Sequence, residues 1–221
     1  MIQRESIQFL YDLRANNTKE WFDTNRKHYE QTRENFVNFV DALLKKIEVF
    51  DVDVAVSLLD PKKTMMRINR DIRFSKDKTP YNSHLFTYIN EGGKRTPNAG
   101  YFFSLDPGKS FYGAGTYKPP TEVINMIRQE IDYNPKEWEG IVNDSQLKSS
   151  FGEVICSDML SRPPKGYEKD HELLDWIKRK DFHVQKFISD EELLDEELVN
   201  RVAEGLKAAH ALVHFQNRAL K

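Results

Sequence analysis

The residues best suited to chemistry lie between Asp60 and Tyr81. Arg67, Arg70 and Arg73 recur at every third position, Asp71 sits between the last two, and Asp77, Lys78 and Tyr81 follow closely. A guanidinium is a planar fork that takes carboxylate or phosphate oxygens in pairs, so three arginines this close point to anion recognition more than three lysines would. Over this segment seven basic residues (Lys62, Lys63, Arg67, Arg70, Arg73, Lys76, Lys78) meet three acids (Asp60, Asp71, Asp77). The segment is +4 in a chain whose net charge is −2, so the remainder is acidic. Two like charges about 6 Å apart repel by about 2–3 kcal/mol at an effective dielectric near 20.

Two resolutions of that repulsion are open. In the first, Arg67, Arg70 and Arg73 hold a small anionic ligand carrying phosphate or carboxylate. Asp71 orients them, and Lys78, Tyr81 and His84 close the site from the loop. Asp71 and His84 are then the candidate proton carriers, although no nucleophile–base pair accompanies them. In the second, Asp71 bridges Arg70 or Arg73 inside the fold and the cluster is structural glue, with Tyr81 and His84 as core residues. Arg26, on a mostly apolar helix stripe with Arg33, either snorkels to the surface or points into the same polar site. A nucleic-acid interface, with Phe86 and Tyr88 as stacking faces, ranks behind a small anion, because the excess positive charge is local.

Elements that must position these residues follow from periodicity. Ile7, Leu10 and Leu13 mark a short helix, and Phe22, Tyr29, Phe36 and Leu43 repeat every seven residues, predicting one long helix over roughly 19–48. Val52, Val54, Val56 and Leu58 then alternate with polar or small residues, the pattern of a half-buried strand. Met66, Ile68, Ile72 and Phe74 alternate likewise, which places Arg67, Asp71 and Arg73 on one face of a return strand. Further strands are expected at 85–90, 99–106 and 109–117, the last two joined by the turn Asp106-Pro107-Gly108. Residues 118–221 read as mainly helical, with Asn134-Pro135 starting one helix and Ser189 with Glu192 forming a capping box for a long terminal one. The expected fold is a single α+β domain over 1–221. It is helical in 1–50, has an antiparallel sheet of about five strands in 51–117, and is packed by helices from both ends.

Composition narrows the classes. Hydrophobic residues make up 39% of 221 and mean hydropathy is −0.68, with no apolar run long enough to cross a membrane. The first residues lack the apolar segment of a secretory leader, and the single Cys156 excludes a disulfide framework and a cysteine zinc site. The expected setting is the cytoplasm, with no membrane partner, cofactor or metal. His210 and His214 stand four apart on a helix without an evident third ligand, so they read as surface histidines. Neither an enzymatic reaction nor an oligomeric state follows from these residues.

The order arginine, two residues, arginine–aspartate, one residue, arginine–phenylalanine, then Asp77-Lys78 and Tyr81 resembles a family signature. The family is a bacterial group of conserved hypothetical proteins catalogued as domain of unknown function 2461. Weaker likenesses cover Trp21 with Asn25-Arg26 and Tyr29-Glu30, Gly113 to Pro119, and Pro164-Lys165-Gly166-Tyr167 with Asp170-His171. The resemblance implies candidate positions, Tyr167 and His171 among them, and carries no mechanism.

Overall fold

Four strands form one antiparallel meander, in the spatial order β1 (Leu85–Asn90), β2 (Gly100–Leu105), β3 (Ser110–Thr116) and β4 (Phe182–Ile188). The structure is a computed structural model and describes residues 1–221. Register is continuous across the sheet: Tyr88 pairs with Phe102, Phe102 with Gly113 and Gly113 with Gln185. Side chains alternate across each strand. One face therefore presents Leu85, Thr87, Ile89, Tyr101, Phe103, Ala114, Phe182 and Val184, all buried. The opposite face presents Phe86, Tyr88, Phe102, Phe111, His183, Gln185 and Phe187.

Helices cover only the first face. From the N-terminal part come α1 (Arg4–Ala15), α2 (Lys19–Thr24), α3 (Arg26–Phe50), α4 (Val52–Val56) and α5 (Pro61–Thr64). The heptad-spaced stripe of α3 turns Phe36, Val40, Leu43 and Ile47 inward, and Phe36 and Phe39 meet Phe103 with ring centroids 6.2 and 4.5 Å apart. Between β3 and β4 lie α6 (Thr121–Tyr133), α7 (Pro135–Val142), α8 (Ser145–Phe151) and α9 (Leu174–Ile177). The chain ends in α10 (Asp190–Leu193), α11 (Leu198–Ala208) and α12 (His210–Arg218). Trp138 of α7 is fully buried against Trp176, Phe182 and Phe215, which ties these helices to β4.

The class is α+β, but the sheet differs from the one expected: it has four strands, not about five. Residues 52–56 are helix α4, because Asp51 accepts the Val54 N–H at 3.0 Å and caps a helical turn. In a helix Val52 and Val56 share a face, and that face is solvent, whereas Val54 alone turns inward. The segment 66–74 is extended but irregular, touching its neighbours through single bridges, Met65 to Thr87 and Asn69 to Tyr81. Side chains take over some of its backbone partners: Lys78 Nζ donates to the Ile72 carbonyl at 3.0 Å and Asn82 to the Arg67 carbonyl at 3.1 Å. The missing strand comes instead from residues 182–188, far beyond 117. The long N-terminal helix breaks at Asn25 into α2 and α3, and the terminal one is three helices.

Candidate functional site

The signature arginines do not share a face. Arg70, part-buried, donates through Nη1 to Asp77 Oδ2 at 2.6 Å, to the Thr79 carbonyl at 3.0 Å and to the Thr79 hydroxyl. Asp77 also accepts the Thr79 N–H; with the Thr79 hydroxyl and Arg70, these donors hold its carboxyl below the usual range. Arg73 closes on Asp71 through two nitrogens, at 2.9 and 2.7 Å, and the pair stands in solvent with the Asp71 carboxyl lowered by that contact. Tyr81 is buried and stacks on Phe22 with centroids 4.0 Å apart, while its backbone N–H and carbonyl both bond the Asn17 amide. Arg26 pairs with Asp23 at 2.6 Å and lies over the Phe22 ring. His84 is half-buried, and burial lowers its pKa. Most of the signature thus neutralises itself, and Tyr81 pins the end of the segment on α2 and the turn before it.

Arg67 is the exception. It lines a groove of about 980 Å³ bounded by α3, the turn into α5, residues 65–69 and the β1–β2 loop. Arg33, Lys62, Lys63, Lys94 and Arg95 border the same groove, against one acid, Asp60. Asp60 is occupied as the N-cap of α5, accepting the Lys62 N–H at 2.9 Å. None of the six cations is in an ion pair, whereas Arg26, Arg70 and Arg73 all are. Lys94 donates to the Met65 carbonyl at 2.7 Å, which ties the β1–β2 loop to the segment carrying Arg67. Gly92 and Gly93, at φ +76° and +79°, let that loop fold back, and a side chain at 92 would strike Thr96. Uncompensated positive charge around one concave surface raises the local concentration of anions.

A second cavity, of about 540 Å³, opens on the uncovered sheet face and shares Met66 and Lys94 with the groove. Phe86, Tyr88, Phe102 and Phe111 contribute rings, and the loop Tyr117–Pro120 walls one side. Gly113 keeps the floor low: a Cβ there would sit 2.0 Å from the Val184 carbonyl and 2.6 Å from the Phe102 ring. At the floor His183 Nδ1 lies 3.3 Å from Oδ1 of the fully buried Asp181. Burial pushes the Asp181 carboxyl up, but His183, the Ser157 hydroxyl and the backbone N–H groups of Ser157 and Lys118 outweigh it and hold it at about 2. Leu58 and Lys118 are the two non-glycine residues with positive φ, +45° and +47°, and they border the groove and the recess respectively. Backbone strain of this kind concentrates at functional sites.

The sequence pointed to Phe86 and Tyr88 of this second cavity, as stacking faces, and not to Asp181 or His183. Asp181 precedes and His183 lies within β4, a strand the sequence does not predict, and an Asp-x-His pattern is too common to be a signal alone. The near-alternation Phe182, Val184, Ile188 was the available clue. Tyr167 and His171 lie elsewhere, at α6: His171 Nε2 meets Asp132 at 2.8 Å, its Nδ1 accepts the Leu173 N–H, and Tyr167 packs edge-on against its ring. His210 is not a free surface group, since Nδ1 lies 3.0 Å from the Tyr101 hydroxyl beside the buried Asp51.

A meander sheet with one helix-covered face and one open face, bordered by a cation-lined groove, defines the molecule as an α+β protein with a built concave site. The family model described as "Conserved hypothetical protein (DUF2461)" matches residues 5–215, so the chain belongs to that family. No curated protein and no solved structure matches it. No helix is long and apolar enough to cross a membrane.

Proposed function

We propose that the protein binds a small anionic ligand, carrying phosphate or carboxylate, in the groove lined by Arg33, Lys62, Lys63, Arg67, Lys94 and Arg95. The observation that carries this reading is the pairing pattern: six cations without a carboxylate partner around one groove, in a chain of net charge −2. Arginines at Arg33 and Arg67 suit bidentate oxygens, and the lysines supply point charges around them. Arg70, Asp71, Arg73, Lys78 and Tyr81 act one step back, shaping the segment that presents Arg67.

Isothermal titration with pyrophosphate and with citrate tests this. Saturable binding that weakens about tenfold or more in Arg67→Ala, with an unchanged melting temperature, is the expected result. Absence of binding by either anion to the wild-type chain contradicts it.

A further inference from the structure

Resting on that reading, we propose that the groove's ligand is a mononucleotide-type molecule, its phosphate among the groove cations and its planar ring in the aromatic recess. Three observations converge. The two cavities are contiguous, because Met66 and Lys94 wall both, so one ligand can occupy them together. The recess offers aromatic surface in Phe86, Phe111 and Tyr117, the last of these 59% exposed, and such faces take a heteroaromatic ring by stacking. Polar side chains line it as well. Thr116 Oγ1 is buried without a hydrogen-bond partner, and Gln185 and His183, whose Nδ1 faces Asp181, line the same recess. Buried polar atoms are nearly always satisfied, so polar groups along a ring-lined pocket fit a ligand edge with donors and acceptors of its own.

A purely apolar ligand leaves those groups and the adjoining cations unused. A single-stranded nucleic acid needs a continuous track of free ring faces. Here Phe102 is buried and packs against Phe86, Phe111 and His183, so the run of free ring faces is broken, and Pro97 and Tyr117 to Pro120 line the rest of the recess. One ring and its phosphate fit that recess and the adjoining groove.

The test compares pyrophosphate, adenosine, the four common ribonucleoside monophosphates and a short single-stranded oligonucleotide by titration calorimetry. Each is measured on the full chain and on Tyr117→Ala, Phe86→Leu and Lys63→Ala/Arg67→Ala. At least one mononucleotide is expected to bind about tenfold or more tightly than pyrophosphate. Tyr117→Ala and Phe86→Leu should remove that advantage while leaving pyrophosphate binding unchanged, and the groove double variant should lose both. If mononucleotides bind no tighter than pyrophosphate, and the groove variant still loses both, the ring assignment is overturned and the anion groove stands. If neither pyrophosphate nor any nucleotide binds, both fall. Binding of the oligonucleotide alone, with a steep salt dependence, overturns the mononucleotide assignment in favour of a strand-binding face.

Discussion

Arg67 and Arg73 stand six residues apart in one irregular segment, both exposed, with opposite electrostatic settings. Arg73 is closed by Asp71, and Arg70 between them by Asp77, whereas Arg67 enters a groove whose other cations are equally unpaired. The paired region resembles a clasp: each charge has a local partner, and Tyr81 anchors the end of the loop on Phe22. The unpaired region has no such partners, and six like charges persist near each other only where water or a ligand screens them. Close spacing of arginines in sequence is therefore no guide to a shared task. What separates the clasp from the groove is where the acids fall.

The largest effect should come from the clasp. Tyr81→Ala removes a buried ring and should destabilise the protein by about 3–5 kcal/mol in urea unfolding. Tyr81→Phe should be nearly neutral, since Tyr81 is held by its ring and backbone. A large loss in Tyr81→Phe, or binding lost without stability in Tyr81→Ala, would move Tyr81 from frame to site. Next in size is the groove: Arg67→Ala and Lys63→Ala should each weaken pyrophosphate binding about tenfold, with melting temperatures within error of wild type.

Acid stability sharpens the same contrast for the recess. The Asp181 carboxyl titrates at about 2 in the folded protein, against about 3.9 unfolded, so its contribution is complete above the unfolded value and fades as pH falls toward 2. Unfolding followed from pH 5 downward should show this loss in wild type, and Asp181→Asn should flatten it. An identical acid limb in the variant would remove Asp181 as a cause. The smallest effect is expected at Arg73→Ala, with pyrophosphate affinity within about twofold of wild type, because its charge is already compensated by Asp71 and screened by solvent.

Much of this arrangement was legible before any coordinates. The strands expected at 85–90, 99–106 and 109–117 form at 85–90, 100–105 and 110–116, and the short connections with the Asp106-Pro107-Gly108 turn, local features, made them legible. The charge asymmetry of residues 60–81 located three groove cations, Lys62, Lys63 and Arg67. Alternation misled at 52–58, because apolar residues at spacing two also fit a short capped helix that turns Val54 inward and leaves Val52 and Val56 in water. Arg33 shares its helix stripe with Arg26, and only the neighbours brought by folding decide between them: Arg26 finds Asp23 one turn away, and Arg33 finds the groove. Lys94, Arg95 and the pairing of β4 with β3 depend on contacts between distant segments, which periodicity does not encode.

Arginine side-chain NMR separates the clasp from the groove most directly. With the guanidinium Nε–H resonances assigned, titration with pyrophosphate should shift Arg67 and Arg33 and leave Arg70 and Arg73 in place. Movement of Arg70 and Arg73 with Arg67 unchanged would put the anion in the signature cluster and contradict the account.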